Sequence, residues 1–421
     1  MPTQVPAANA GVAAADAFAA YPVVPLVADQ ANGRTDAASY QAKQAEIIVN
    51  RRKLKSLSEP RSSVVSGKYP NRAHGPFAYF AFPFALIGTL LMGSGLVIYF
   101  FAILVSITRF VVPLGPKATK WVAFLLWWSG APTTLGILLV AFDLLILFPM
   151  KRRSNPRVED VTATPQSIAV ALTCYNDEQS IGLAVSDFLA SPLTEKVIVV
   201  DNNSKDRSAQ IAREAGAEVF VESQTGYGSC VYRCYQELLR HSSAQHVVLC
   251  EGDMTFRARD LEKLTAFAPH ADIVNGTRIV EQLRARNTQL TTAMYYGNFF
   301  MGKLLELKHL GRGTFTDVGT TYKLISRSAL QELLKHLDPR INLEFNAHFL
   351  DIALSRGFLI VECPITFHAR IGRSKGGNID NFRALAVGLR MILGLLSNWK
   401  LAVRDRQYSY QGVDHWDDQR S

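Results

Sequence analysis

The chain is 421 residues long, 48% hydrophobic and only 19% charged, with five cysteines. Those values exclude a wholly disordered chain and a disulfide-framework scaffold. A formal net charge of +9 points to an anionic partner, and nucleic acid, acidic lipid and phosphorylated substrate all suit it.

Residues 1–72 are rich in Ala, Val, Ser and Pro without sustained periodicity, and read as a largely disordered, basic N-terminal tail. Within it, Ala38 to Leu57 is a candidate basic helix for an anionic lipid surface. No charged side chain occurs from Phe77 to Thr108, nor from Trp121 to Phe142. A bilayer core about 30 Å thick needs roughly 20 helical residues to cross it, so residues 73–150 are predicted to form a transmembrane helical hairpin. Its first helix is long enough to tilt, or to kink near Pro83. Lys117 and Lys120 are expected in the turn, beside Pro113, Gly115 and Pro116.

Arg51, Arg52, Lys53 and Lys55 precede the first span, and Lys151, Arg152, Arg153 and Arg157 follow the second. Two crossings return the chain to the same side, which the positive-inside rule makes cytoplasmic. Asp143 is expected at the interface, near Lys151. The first span begins too far along the chain for an ordinary cleaved signal peptide.

After Pro165 short apolar runs alternate with helical stretches. Strands are predicted at Ser167–Thr173, Lys196–Val200, Ala217–Val221 and His246–Cys250. Helices are predicted over Glu178–Ala190, Ser208–Ala215 and Ser229–Arg240. This alternation predicts a parallel α/β sheet with ligands at the carboxyl ends of its strands. Cys174-Tyr-Asn-Asp-Glu178, Asp201-Asn-Asn-Ser-Lys-Asp206 and Glu251-Gly-Asp253 follow strands one, two and four, and Gly226-Tyr-Gly228 opens a helix. Each alone is ordinary turn chemistry. All four in order, each beside a predicted element end, are not.

With these motifs, residues 166–376 resemble the family 2 glycosyltransferases of the GT-A (Rossmann-like) fold. Gly276-Thr-Arg278, Asp317-Val-Gly-Thr-Thr-Tyr322, Glu362-Cys-Pro-Ile365 and Arg370-Ile-Gly-Arg-Ser-Lys375 extend the likeness toward the polyprenyl- and dolichol-phosphate sugar transferases. The resemblance implies a nucleotide-sugar donor, UDP- or GDP-linked, and a polyprenyl-phosphate acceptor. It places Tyr175, Asn176, Glu178, Asp201, Gly226, Gly228 and Glu251 at the donor. Asp253 and Glu251 would hold Mg²⁺ or Mn²⁺, a hard cation on oxygen ligands that neutralises the leaving diphosphate.

Arg278, Arg370, Ser374 and Lys375 would grip acceptor phosphate or donor diphosphate. Asp317 would stand near the reaction centre, with Glu344 a weaker candidate. Such enzymes invert at the anomeric carbon. Glu251 stands where the family usually has Asp, Asn202 where a second Asp is common, and the membrane helices precede the catalytic domain.

Plainer readings compete at single positions. Arg278 pairs with Glu281 on the surface, Lys375 is a solvated loop residue, and Glu344 is an exposed helical residue. The cysteines lack a Cys-x-x-Cys pair and read as buried reduced thiols. Thr292–Leu310 is apolar on one side. Residues 377–404 read as an amphipathic interfacial helix, or else a core-packing one, before a tail at 405–421.

Two other functions remain open. One is direct transfer to a polysaccharide or glycolipid, although the Gln-x-x-Arg-Trp motif of processive synthases is absent. The other is a degenerate, non-catalytic membrane scaffold. No nucleic-acid-binding motif accompanies the basic charge, and oligomeric state is not readable.

Overall fold

The computed structural model describes residues 82–108, 111–112, 115–151, 167–372 and 381–403. Both expected tails, the Ala38–Leu57 helix, the basic flanks apart from Lys151, and Ser374 and Lys375 lie outside these residues.

Helices α1 (Phe84–Thr108) and α2 (Pro116–Leu147) are long and apolar enough to cross a membrane. Pro83 stands just before α1 and does not kink it, since a helix start needs no N–H from that residue. Pro116 is the first residue of α2, so Lys117 and Lys120 belong to its opening turns and not to the loop expected there. The two helices meet through glycines. A Cβ on Gly88 or Gly136 would collide with the other's carbonyl oxygen, so only hydrogen at these positions permits the approach. Val97, Phe100, Phe101, Leu104, Trp127 and Leu145 face outward.

Asp143, expected near the membrane interface, packs against the start of α1. It is fully buried in a π-helical turn, Asp143–Leu147, and its Oδ2 accepts the Ala85 N–H at 2.9 Å. That N–H is one of the donors that a helix start leaves unsatisfied, at its positive end.

Seven strands form one sheet: β1 (Ile168–Cys174), β2 (Thr194–Asp201), β3 (Glu218–Val221), β4 (His246–Glu251), β5 (Ile273–Thr277), β6 (Lys323–Ser326) and β7 (Ile360–Pro364). Their order is β3-β2-β1-β4-β6-β5-β7. The all-parallel expectation fails at β6, which runs antiparallel to β4 and β5; the other pairings are parallel. A reversed strand enters from the carboxyl ends of its neighbours. The segment leading into β6, Asp317 to Tyr322, is thereby delivered to the edge where β4 ends.

Ile168 through Leu172 are all fully buried because both sheet faces are covered. Ala169 and Ala171 point into one core and Ile168, Val170 and Leu172 into the other, as the two-residue period of a strand requires. The first core takes α5 (Tyr227–His241), α7 (Thr292–Lys308), α9 (Phe345–Ser355) and α10 (Asn381–Ser397); the second takes α3 (Ile181–Ala190) and α6 (Leu261–Phe267). Helices α4 (Ser208–Glu214) and α8 (Arg327–Leu333) complete the fold. Leu86 of α1 joins the first core, Leu90 packs against it, and α1 touches α7.

Helix α10 packs one face into the first core and leaves the other exposed. Met391 and Leu395 are buried, whereas Leu385, Leu389, Leu393 and Leu396 are exposed at three- and four-residue spacing. Its end is pinned from below. Lys308 Nζ donates to the Leu395 carbonyl at 2.7 Å and to Asp351 Oδ2 at 2.8 Å. Asp351 also accepts from Trp399 Nε1 at 2.7 Å. The buried ammonium thus has an anionic partner as well as a helix-end carbonyl.

Candidate active site

The carboxyl ends of β1 and β4, the segment before β6 and helices α7 and α10 enclose one cavity of about 1050 Å³. Glu251, Asp253, Arg278 and Arg370, all singled out from the sequence, share its wall with Tyr175 and Gly226. The remaining donor-site candidates are not brought to that wall. Asn176 Oδ1 accepts the Lys205 N–H at 2.7 Å, and the Asn176 N–H donates to Ser204 Oγ at 2.8 Å. Asp201 accepts from Ser204, and the Glu178 N–H donates to Asp206. These side chains tie the loop after β1 to the loop after β2. Gly228 lies inside α5, where a Cβ would collide with the Ile341 carbonyl oxygen.

Asp253 stands in the turn just past β4, ahead of Met254, whose φ of 66° is the strained left-handed region for such a side chain. Its Oδ1 accepts both the Thr255 N–H, at 3.0 Å, and Thr255 Oγ1, at 2.5 Å. Its Oδ2 is 3.0 Å from Arg370 Nη1 but outside hydrogen-bond geometry. Arg370 Nη2 donates to Asp177 Oδ1 at 2.7 Å. Asp177 lines the cavity, although its motif points to its neighbours Tyr175, Asn176 and Glu178. Which of four successive side chains turns inward depends on Asn176 at φ 50°, a conformation asparagine tolerates better than most residues.

Glu251 is half-buried, and desolvation together with the Asp253 charge pushes its carboxyl up to about 7. Thr321 Oγ1 donates to Glu251 Oε1 at 2.6 Å. Tyr227 Oη lies 2.6 Å from the same hydroxyl and accepts from Asn346 Nδ2 at 2.9 Å. Below Asn346, burial pulls the Lys323 ammonium down to about 7 against the attraction of Asp317. Asn346 and Lys323 carry no signal in the sequence, and Tyr227 stands in the Gly226-Tyr-Gly228 motif only as its middle residue, because their partners are remote in the chain.

Arg278 does not pair with Glu281. Its Nε and Nη2 form a fork onto Asp317, at 2.6 and 2.7 Å, and its backbone N–H adds a third bond at 3.1 Å. Burial opposes the Asp317 charge, yet the guanidinium holds its carboxyl below the ordinary range. Glu362 fixes this loop from behind, accepting from the N–H groups of Thr316 and Asp317 at 2.8 and 3.1 Å. Glu344, read as either a site or a surface residue, is buried and accepts from Arg390 of α10.

Asn202 has work that an aspartate could not do. Its Nδ2 donates to the carbonyls of Glu222 and Gln224, at 3.1 and 2.7 Å, while Oδ1 accepts the Gly226 N–H at 2.9 Å. An Asn202→Asp variant keeps the acceptor and loses both donors, leaving two carbonyls facing a carboxylate. The expected result is a donor KM raised about tenfold with the fold intact, checked by donor titration beside a thermal melt.

A mixed α/β sheet with an acidic and basic cleft at its strand ends is GT-A-like in architecture. Residues 169–334 match the family model described as Glycosyl transferase family 2. Protein RfbJ of Shigella flexneri is 35% identical over 92 residues, covering 22% of this chain and 68% of that protein. The dolichyl-phosphate hexose transferase of Haloferax volcanii is 29% identical over 213 residues, 50% of this chain and 87% of that protein. Among solved structures, glucosyl-3-phosphoglycerate synthase from Mycobacterium tuberculosis, in complex with Mn²⁺, uridine diphosphate and glucosyl-3-phosphoglycerate, gives a TM-score of 0.40. It is 20% identical over 55% of this chain and 79% of that one. The chain belongs to glycosyl transferase family 2. It is a glycosyltransferase, which removes the non-catalytic scaffold as a reading.

The donor set fits a divalent cation of the Mg²⁺ or Mn²⁺ kind. Half-buried Glu251 and buried Asp253 stand close enough that the Asp253 charge adds to desolvation in raising the Glu251 carboxyl, and Asp253 Oδ2 lacks a hydrogen bond. Such cations are commonly held by one or two carboxylates, with phosphate and water oxygens completing the shell. No set of three or more acidic, His or Cys side chains suited to a metal occurs among the described residues. All five cysteines are free and buried.

Proposed function

We propose that this enzyme moves a sugar, with inversion and with metal dependence, from a nucleotide sugar to a polyprenyl phosphate at a membrane surface. One observation carries the reading: charged Glu251, Asp253, Arg278 and Arg370 from the strand-end loops line the same cavity as apolar Phe300, Met301, Leu385, Leu389 and Ile392 from α7 and α10, with Arg390 also on the α10 wall. A phosphate on a long hydrocarbon chain combines the same two characters. The exposed apolar residues of α10, and the contact of α7 with the membrane-length helix α1, favour an acceptor arriving from lipid. The basic flanks favour a catalytic domain on the cytoplasmic side.

Glu251 and Asp253 would hold Mg²⁺ or Mn²⁺, which when bound neutralises charge on the leaving diphosphate. Arg278, its fork clamped by Asp317, would present its remaining N–H donors to phosphate oxygens in a fixed direction. A phosphate acceptor is already anionic at neutral pH, so no strong general base is needed. Positioning and electrostatic stabilisation suffice. Ser374 and Lys375 would complete the acceptor grip.

The test incubates purified protein with Mg²⁺ or Mn²⁺, a polyprenyl phosphate and a panel of radiolabelled UDP- and GDP-sugars. Label in a lipid extract, released as sugar by mild acid, is the expected result. Donor binding without lipid labelling would instead favour a polysaccharide or glycolipid acceptor.

A further inference from the structure

Asp253 has one oxygen to offer a cation, and Arg370 stands on it. Oδ1 already accepts two bonds from Thr255, which leaves Oδ2, 3.0 Å from Arg370 Nη1. A divalent cation and a guanidinium nitrogen compete for that oxygen, since each positive charge weakens the oxygen's hold on the other. The backbone beneath Arg370 has little freedom to withdraw. The Ile371 N–H donates to the Asp253 carbonyl at 3.1 Å, and the His368 N–H donates to the Thr255 carbonyl at 2.9 Å. Any release is therefore a movement of the Arg370 side chain alone. Arg370 Nε is buried without a hydrogen-bond partner, so the present seat satisfies the guanidinium incompletely.

We propose that Arg370 is a displaceable stand-in for the cation. In the donor-free protein it neutralises Asp177 and Asp253. Arrival of the divalent cation with the donor diphosphate drives Nη1 off Asp253 and into the cleft, where it faces phosphate. A free cation must pay for that displacement without help, whereas a cation arriving with a diphosphate brings the anion that receives the freed guanidinium. Nucleotide-free metal binding is thus weak, and donor and cation bind cooperatively. The inference rests on the cation reading of Glu251 and Asp253.

The experiment measures Mn²⁺ binding to the full-length protein in detergent by electron paramagnetic resonance of free Mn²⁺, with and without UDP or GDP. Arg370→Gln removes the competing charge, and Arg370→Lys keeps a charge but loses the two-carboxylate bridge. Without nucleotide, Arg370→Gln is expected to bind Mn²⁺ about tenfold more tightly than the parent, with Arg370→Lys between them. The enhancement of Mn²⁺ binding by nucleotide should shrink in the Gln variant. Melting temperature and circular dichroism establish that each variant is folded, and Arg370→Lys carries the comparison if Arg370→Gln is not. Unchanged or weaker nucleotide-free Mn²⁺ binding in a folded variant would overturn the displacement while leaving the cation site standing. Absence of Mn²⁺ binding by the parent even with both nucleotides would remove the cation site, and this proposal with it.

Discussion

Asp253→Asn should abolish sugar transfer, lowering kcat by about 10²–10³-fold or more while the protein stays folded. Asparagine is the informative replacement because it retains an oxygen for the two Thr255 bonds that shape the turn. What it removes is the charge at Oδ2. With that charge gone the carboxylate pair becomes a single carboxylate, and the burden on Glu251 changes too. Asp253 is the nearest charge raising the Glu251 carboxyl, so its removal lets Glu251 ionise more readily. A residual rate insensitive to EDTA would fit loss of the cation site. Full activity in Asp253→Asn with EDTA present would sink the metal assignment outright. Parallel thermal melts separate lost chemistry from lost structure.

Asp317→Ala is expected to act on stability as well as on catalysis. It leaves the Arg278 guanidinium with no anionic partner at its fork, in a site where the Arg278 side chain is 11% exposed and that of Asp317 1%. Removing one member of a buried ion pair typically costs about 3–5 kcal/mol, much of it the penalty of the stranded charge. A fall in melting temperature of several degrees should accompany a large loss of kcat/KM. The pair also has a pH signature. Because the folded protein depresses the Asp317 carboxyl, its stabilisation is present above the ordinary value of 3.8 and is lost as pH falls toward the lower folded value. Denaturant melts from pH 6 down to pH 3 should therefore converge for the parent and Asp317→Ala at the acid end. Arg278→Ala, which strands the carboxylate instead, should shift that acid transition upward. Equal melting temperatures for parent and Asp317→Ala at neutral pH would show that the pair contributes nothing net.

Much of the catalytic fold is legible in the sequence because β1, β2 and β4 are buried on both faces and so print continuous apolar runs. The membrane-length helices are legible because their apolar runs continue on every face over 25 and 32 residues. Strand β6 is not, since it is four residues long and begins with Lys323, a side chain that burial alone would forbid. Its reversed direction is a property of the whole sheet and leaves no local mark. Among the site residues, Asp253, Glu251, Arg278 and Arg370 stand in motifs that follow strands and line one cavity. Asn176, Glu178 and Asp201 belong to equally clear motifs, yet their polar atoms join one loop to the next. Motif membership does not say which side of a turn a side chain takes. Asp177, Tyr227 and Asn346 acquire their importance only through contacts that span up to 193 residues.

The seating of Leu86 has a practical meaning for anyone seeking a soluble form of this enzyme. The first turn of α1 is sealed into the interior of the catalytic body, and Asp143 near the end of α2 holds that turn in place. The membrane-length helices and the catalytic sheet therefore share a hydrophobic interior across their junction. Cutting the chain after Lys151 to discard the helices would open an apolar socket beside α7, next to the cavity wall. Such a shortened protein should aggregate, or lean on detergent to fill the socket. A soluble version would have to retain the beginning of α1 or refill its place.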